Sequence, residues 1–434
     1  MSDKNRETDS VAVEVKGIPG KKEVLTASAA GSDIEDEEGG RSYQWLSAAT
    51  SEGIYEPIAG ARHATLPLSA KEVGRFVRCE ISNSNSGETI AAGSSRAVGP
   101  IADAAGNPHA DWLREGKYGI SHHLLAEFMN RVAAEDKDKW QPHETWNEVI
   151  DGFDVEDYAA QVVETGAAFV ILTLGQNSGY LLSPNKTYDR IAEVEPGERC
   201  SLRDLPMEIM DALIPKGIKV ILYLPANPPS KAHKSPGDNA INKAFHYPVE
   251  IAPSQETQAA WQSVIQEWSD RYRDKLAGWW FDGMWFQQAY DDFSQSRNWY
   301  SLVHAAKSDC VSRIVAFNSG IGSDRLVNSP LEDYMAGETN EIGLLPHNGR
   351  HADAENGVQW FQWTFLGKFV TDLAGWGNTG LNWAPEEVIR WVEQATDRDG
   401  AIALDVNVNR YGKMDTKQLE LLKALKRRVK PEEA

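Results

Sequence analysis

Cysteine is scarce in this 434-residue chain, which holds only Cys79, Cys200 and Cys310. They lie far apart with no CxxC pair, which excludes a disulfide framework and a cysteine-rich zinc site and leaves structural free thiols. Positive charge is also in short supply: 44 Lys and Arg stand against 64 Asp and Glu, for a formal net charge of -20. Such a chain repels phosphate backbones and anionic headgroups, so nucleic acid and membrane surfaces are set aside as partners and neutral or cationic ones are favoured. No apolar run is long enough to span a bilayer, and residues 1–10 are polar where a signal peptide needs an apolar core. The expectation is a cytoplasmic protein, or a secreted one whose leader has been removed, of open oligomeric state.

What is present is enough apolar material, 41% of residues, for one large core and one smaller one. The texture changes near residue 100, which suggests domains at 1–102 and 103–434. The first carries short β-prone runs, many Ser, Gly and Asn turn residues and an acidic tract at 33–38, the marks of a small β-sandwich. Its runs Tyr43-Gln44-Trp45, 55–61 and 73–81 resemble the immunoglobulin-like modules appended to bacterial surface proteins and polysaccharide-active enzymes. Cys79 has no partner for an inter-sheet disulfide, and a spacer without a ligand of its own is the simplest role. An Ala-, Gly- and Pro-rich stretch at 98–107 reads as the linker.

From Trp112 onward, strand-like apolar runs alternate with helical-period segments, the pattern of a parallel sheet covered by helices. Eight candidate strands, at 118–121, 169–174, 219–224, 279–282, 314–318, 333–335, 359–364 and 401–407, match the number that closes a (β/α)8 TIM barrel. Helix punctuation agrees: Asp154 and Ser201 as caps, Gly166 and Gly217 as stops, Pro385 in a first turn.

Active sites of such barrels form at the carboxyl ends of the strands, where Asp282 closes the run Trp279-Trp280-Phe281-Asp282-Gly283-Met284-Trp285. A single carboxylate among flat aromatic faces suits attack on, or shielding of, an oxocarbenium-like centre in a sugar. A second carboxyl group must protonate the departing oxygen. Glu338, just after the sixth candidate strand, is the choice, with Glu341, Glu332 and Glu355 as competitors that spacing does not separate.

These segments resemble the α-L-fucosidase-type glycoside hydrolases from about residue 112 to 427, as a divergent member. Lys117-Tyr118-Gly119-Ile120-Ser121-His122-His123 is similar to the family's first strand, which ends in a substrate-contacting His, and the resemblance selects His123. Phe153-Asp154 through Thr173 is similar to the helix and second strand, and Trp280-Phe281-Asp282-Gly283 to the nucleophile segment. Asp333-Tyr334 with Glu338 resembles the acid/base region, and residues 400–407 the last strand. The resemblance implies a (β/α)8-like barrel, double displacement with retention, and no metal or organic cofactor. Two departures stand out. Gly175-Gln176-Asn177-Ser178-Gly179-Tyr180 replaces the family's His-His-Asp-Gly-Phe, and Leu124 replaces a Trp. Gln176 and Asn177 can still pair with hydroxyls, but the changed donor pattern widens the substrate to related α-L- or deoxy-sugars.

Trp360, Trp363, Trp376 and Trp383 could form a stacking wall, and Trp285 and Trp363 are the two assigned to substrate. Asn227 and Asn318, at strand ends, are further candidate hydroxyl ligands. His347 and His351 have zinc-helix spacing, but Asn348 and Gly349 between them favour a loop, so no metal is assigned. The expected activity is hydrolysis of a terminal α-linked sugar from an oligo- or polysaccharide, with Asp282 and Glu338 catalytic and His123, Gln176, Asn177, Trp285 and Trp363 binding. A silent carbohydrate-binding homologue, an inverting hydrolase and a lyase are the alternatives.

Overall fold

In the computed structural model the residues described are 9–29, 41–85, 88–103, 107–126, 144–229, 238–247, 251–322, 327–347, 349–369 and 374–430. The acidic tract at 33–38 and part of the linker lie outside them. The chain divides into two compact units, Met1–Ala105 with Tyr290–Ala305, and Gly106–Ala289 with Ala306–Ala434.

The first unit is built from strands β1 (Asp9–Ser10), β2 (Val13–Lys16), β3 (Val24–Ala29), β4 (Arg41–Ala48), β5 (Glu56–Pro57), β6 (Thr65–Pro67), β7 (Phe76–Asn85) and β8 (Glu88–Ser94). They form one sheet in the order β1-β8-β7-β4-β5 and another in the order β2-β3-β6. Apart from the parallel β1–β8 pair, the neighbours run antiparallel. Period-two burial explains the core: Trp45 is paired with Cys79, and both are buried with Val77, Ile81, Leu25 and Leu66. Residues 290–305, which a division at 102 would leave with the second unit, join this one. Asn298 Nδ2 donates to the Gly60 carbonyl at 3.2 Å, and the His304 ring stacks on His63 at 5.1 Å.

The second unit holds a curled sheet of seven parallel strands: β9 (Tyr118–His122), β10 (Phe169–Thr173), β11 (Lys219–Pro225), β12 (Leu276–Asp282), β13 (Ile314–Phe317), β16 (Phe361–Phe365) and β17 (Ala401–Asp405). A short antiparallel pair, β14 (His351–Asp353) with β15 (Val358–Gln359), stands apart. The sheet order is β13-β12-β11-β10-β9-β17-β16. Strands β9, β10, β13, β16 and β17 are buried along their whole length, as a parallel sheet covered on both faces demands. Helices supply the cover. Asp154 caps Val155–Thr165 by accepting from Asp157 N at 3.0 Å, and Gly166, at φ 71°, ends it. Leu205–Leu213 is capped by Asp204 rather than Ser201, because Pro206 sits in its first turn and sets the start.

Residues 333–335, expected to be the sixth strand, form isolated bridges instead of a regular ladder. On one side Asp333 N donates to Val315 O at 2.9 Å, but Val315 N and Phe317 N donate to the carboxylates of Asp333 and Glu332, at 2.8 and 3.2 Å. On the other side Tyr334 bridges Gln359, and Glu338 bridges Trp363. Side-chain oxygens therefore stand where a strand would offer carbonyls. Gly337, at φ 64°, lets the segment press against β16, where a Cβ would strike the Phe361 carbonyl.

Candidate active site

Strand registers align the chemistry. Pro225 lies opposite Asp282, Phe281 opposite Phe317, and Ser121 opposite Asp405, so the carboxyl ends of the strands share one rim. Asp282 is half-buried there and accepts from three donors. Tyr223 OH reaches Oδ2 at 2.5 Å, while Gly283 N and Asn318 Nδ2 each reach Oδ1 at 2.8 Å.

The same Asn318 amide nitrogen donates to Glu338 Oε2 at 2.6 Å, so one side chain brings the two expected catalytic carboxyl groups together. Glu338 is pushed up to about 7, first by burial and then by the negative charge of Asp282. Its bond to Asn318 and the nearby His123 pull the other way. The competitors separate cleanly. Glu332 is buried, and its carboxylate is engaged by the main-chain N–H groups of Phe317, Asn328 and Ser329, whereas Glu341 and Glu355 are exposed.

His122 and His123 part as strand geometry requires. His122 is buried against the Val406 carbonyl at 2.8 Å, and burial lowers it to about 4. His123 faces the carboxylates. Its Nδ1 meets Asp405 Oδ1 at 2.7 Å, and its charged form is favoured: burial opposes the charge, but Asp405, Glu338 and Asp282 outweigh it. Asp405 also accepts from Ser121 Oγ at 3.0 Å and Gly377 N at 2.6 Å, which fixes the ring's orienting partner. Sequence reasoning assigned Asp405 no role, although its position ending the last strand was the available signal.

Gln176 Nε2 donates to Tyr223 OH at 2.7 Å, completing a chain Gln176 to Tyr223 to Asp282; Asn177 beside it is half-buried. Tyr223 was missed, since an aromatic residue inside an apolar strand reads as core. Its phenol is held protonated, by burial and then by the Asp282 charge. Asn318, expected to bind a hydroxyl, instead joins the carboxyl groups, and Asn227 donates to the Gly283 carbonyl at 3.3 Å.

Trp363 needs correction. It is 1% exposed, its indole N–H donates to Ser121 Oγ at 2.6 Å, and its ring is packed among His123, Trp280 and Trp376. It supports His123 and offers no face for a sugar, because β16 is buried on both sides. Trp285, by contrast, is 62% exposed. His351 lies on the short strand β14, not on a zinc-type helix, and the described residues contain no group of three or more metal-ligating side chains.

Two carboxyl groups at the rim of a curled parallel sheet, one held by three donors and the other poised near neutrality, point to a class: the glycoside hydrolases. The α-L-fucosidase family model matches residues 98–430, and the chain belongs to that family. No curated protein matches the sequence. Among solved structures, an endo-fucoidan hydrolase of glycoside hydrolase family 107 is similar at TM-score 0.51 and 17% identity, over 74% of this chain and 93% of that one. Another of that family reaches TM-score 0.54 at 15% identity, over 74% and 64% of the two chains. An α-L-fucosidase from Lactobacillus casei, in complex with its fucose product, gives TM-score 0.48 at 16% identity, over 74% and 98%. At these identities the fold is what is shared.

Proposed function

We propose that the protein hydrolyses an α-linked L-fucose or closely related deoxy-sugar from an oligo- or polysaccharide, with retention, on a (β/α)8-type barrel whose sixth stave is the irregular 333–339 segment. The observation that carries this reading is the single Asn318 amide shared by Asp282 and Glu338. Two hydrogen bonds laid end to end cap the distance between the nearest carboxyl oxygens. That fits the ~5–5.5 Å separation of retaining enzymes better than the ~6.5–9.5 Å that leaves room for water in inverting ones.

The Asp282 carboxylate attacks the anomeric carbon while Glu338 passes its proton to the departing oxygen. Once Asp282 is esterified its charge is gone, and with it one of the two forces that hold the Glu338 proton. Glu338 then becomes the better base and activates the water that releases the sugar. Tyr223 orients Oδ2 of the nucleophile, and His123, Gln176 and Asn177 face the sugar hydroxyls. Residues 1–102 are an appended immunoglobulin-like spacer, and every residue placed in the site belongs to the second unit.

Proton NMR of a 4-nitrophenyl α-L-fucoside digest tests the mechanism. The α-anomer should appear first; a β-anomer first means inversion, an unsaturated product means elimination, and bound but uncleaved glycan means a silent binding protein. Azide should restore turnover to Glu338→Ala, and its failure to do so moves the acid/base role to another residue.

A further inference from the structure

The exposed indole of Trp285 is an aromatic surface that the reaction above leaves unused. Its position follows from two glycines. A Cβ on Gly283 would lie 3.8 Å from the benzo edge, and a Cβ on Gly320 would lie 3.7 Å from Nε1. Either side chain would cover part of the ring. Both glycines have positive φ, 71° and 113°, so the backbone there disfavours any replacement. The ring stays 62% exposed, and Ile321, next after Gly320, is 55% exposed.

Trp285 stands on a definite side of the reacting pair. His123, Gln176 and Asp405 come from the ends of β9, β10 and β17, on one side of β12 in the sheet order. Trp285 borders the loop after β13, on the other side. That loop is tied to the proton donor, since Gly322 N donates to the Glu338 carbonyl at 3.3 Å. It is tied to the nucleophile's loop as well, since Met284 N donates to the Asn318 carbonyl at 2.7 Å. A general acid must lie beside the oxygen it protonates, and that oxygen carries the leaving group. A leaving group that departs over the Gly283–Gly320 side meets the flat apolar indole there. The C–H face of a sugar ring stacks on such a surface.

We propose that Trp285, extended by Ile321, is a stacking platform for the sugar ring on the leaving-group side of the scissile bond. The inference rests on Asp282 and Glu338 acting as nucleophile and acid. It is tested with two probes that share the fucosyl part: α-L-fucosyl fluoride, whose leaving group cannot stack, and an α-L-fucosyl-galactose disaccharide. In Trp285→Ala, kcat/KM on the disaccharide should fall about ten-fold further than on the fluoride, chiefly through KM, and Trp285→Phe should recover most of the difference. Equal losses on both probes would place Trp285 in the fucose pocket or in folding and overturn the platform; no loss on either would do the same. If the wild type cleaves neither probe, the reading of fucose as the released sugar fails on its own. Binding then decides: a disaccharide affinity that drops in Trp285→Ala while that of free fucose holds supports the platform, and unchanged affinities remove it.

Discussion

The two carboxyl groups proposed as catalytic stand on supports of different kinds. Asp282 ends a regular strand hydrogen-bonded to β11 on one side and β13 on the other. Glu338 ends a segment attached to β13 largely through the carboxylates of Asp333 and Glu332. Asp333 is in turn held by the buried Lys307 at 2.8 Å and by Asn107 Nδ2 at 2.9 Å. A main-chain ladder tolerates most changes of side chain, whereas a scaffold made of side chains does not. Asp282 is thus secured by backbone, and Glu338 by a few named residues.

That contrast can be broken from either side. The largest effect should come from Asp282→Asn, which leaves its strand intact and lowers kcat by on the order of 10⁴-fold, read with an activated fucoside beside an unchanged thermal melt. Activity near wild type would end the assignment. Next, Lys307→Met should destabilise the fold by about 3–5 kcal/mol in urea titration, since it strands a buried carboxylate, while Lys307→Met combined with Asp333→Asn should cost less. A double variant no better than the single one would mean the pair is not the tie described.

The proton donor gives a smaller, pH-dependent signature. An acid must be protonated to act, so kcat/KM should fall as pH rises through about 7, where Glu338 titrates. Asn318→Ala removes a bond that favours the charged form, so that limb should move to higher pH even as the maximum drops. A limb that stays in place would remove Asn318 from control of the donor. The smallest effect concerns stability. The folded-state pKa of Glu338 lies above the ordinary carboxylate range, so the folded protein binds its proton more tightly than the unfolded chain does. Stability is then lost as pH rises from that range toward 7. Glu338→Gln should accordingly raise the melting temperature at pH 8 and leave it nearly unchanged at pH 4.

The strands were legible because a parallel sheet buries both faces: 169–172, 220–224 and 401–404 are continuous apolar runs whatever their neighbours are. The sixth position was harder, since Glu332 and Asp333 look like solvated acids until their partners Phe317, Val315 and Lys307 are placed beside them. Asp282 could be singled out from its aromatic surroundings alone. Trp363 could not be told from Trp285 by sequence, since both follow the same aromatic-rich pattern and differ only in burial.

By itself, the order of residues determined which runs form the regular strands of the parallel sheet, the glycines that stop helices at 166 and 217, and the carboxylate set among aromatic residues. Those are properties of neighbours along the chain, set by periodicity and backbone freedom. Only the tertiary structure placed Glu338 and not Glu332 beside Asp282, with Asn318 between them, Tyr223 on the other Asp282 oxygen and Asp405 against the His123 ring. Each of those depends on residues dozens to hundreds of positions apart arriving at one rim, where burial and nearby charge change what a side chain can do.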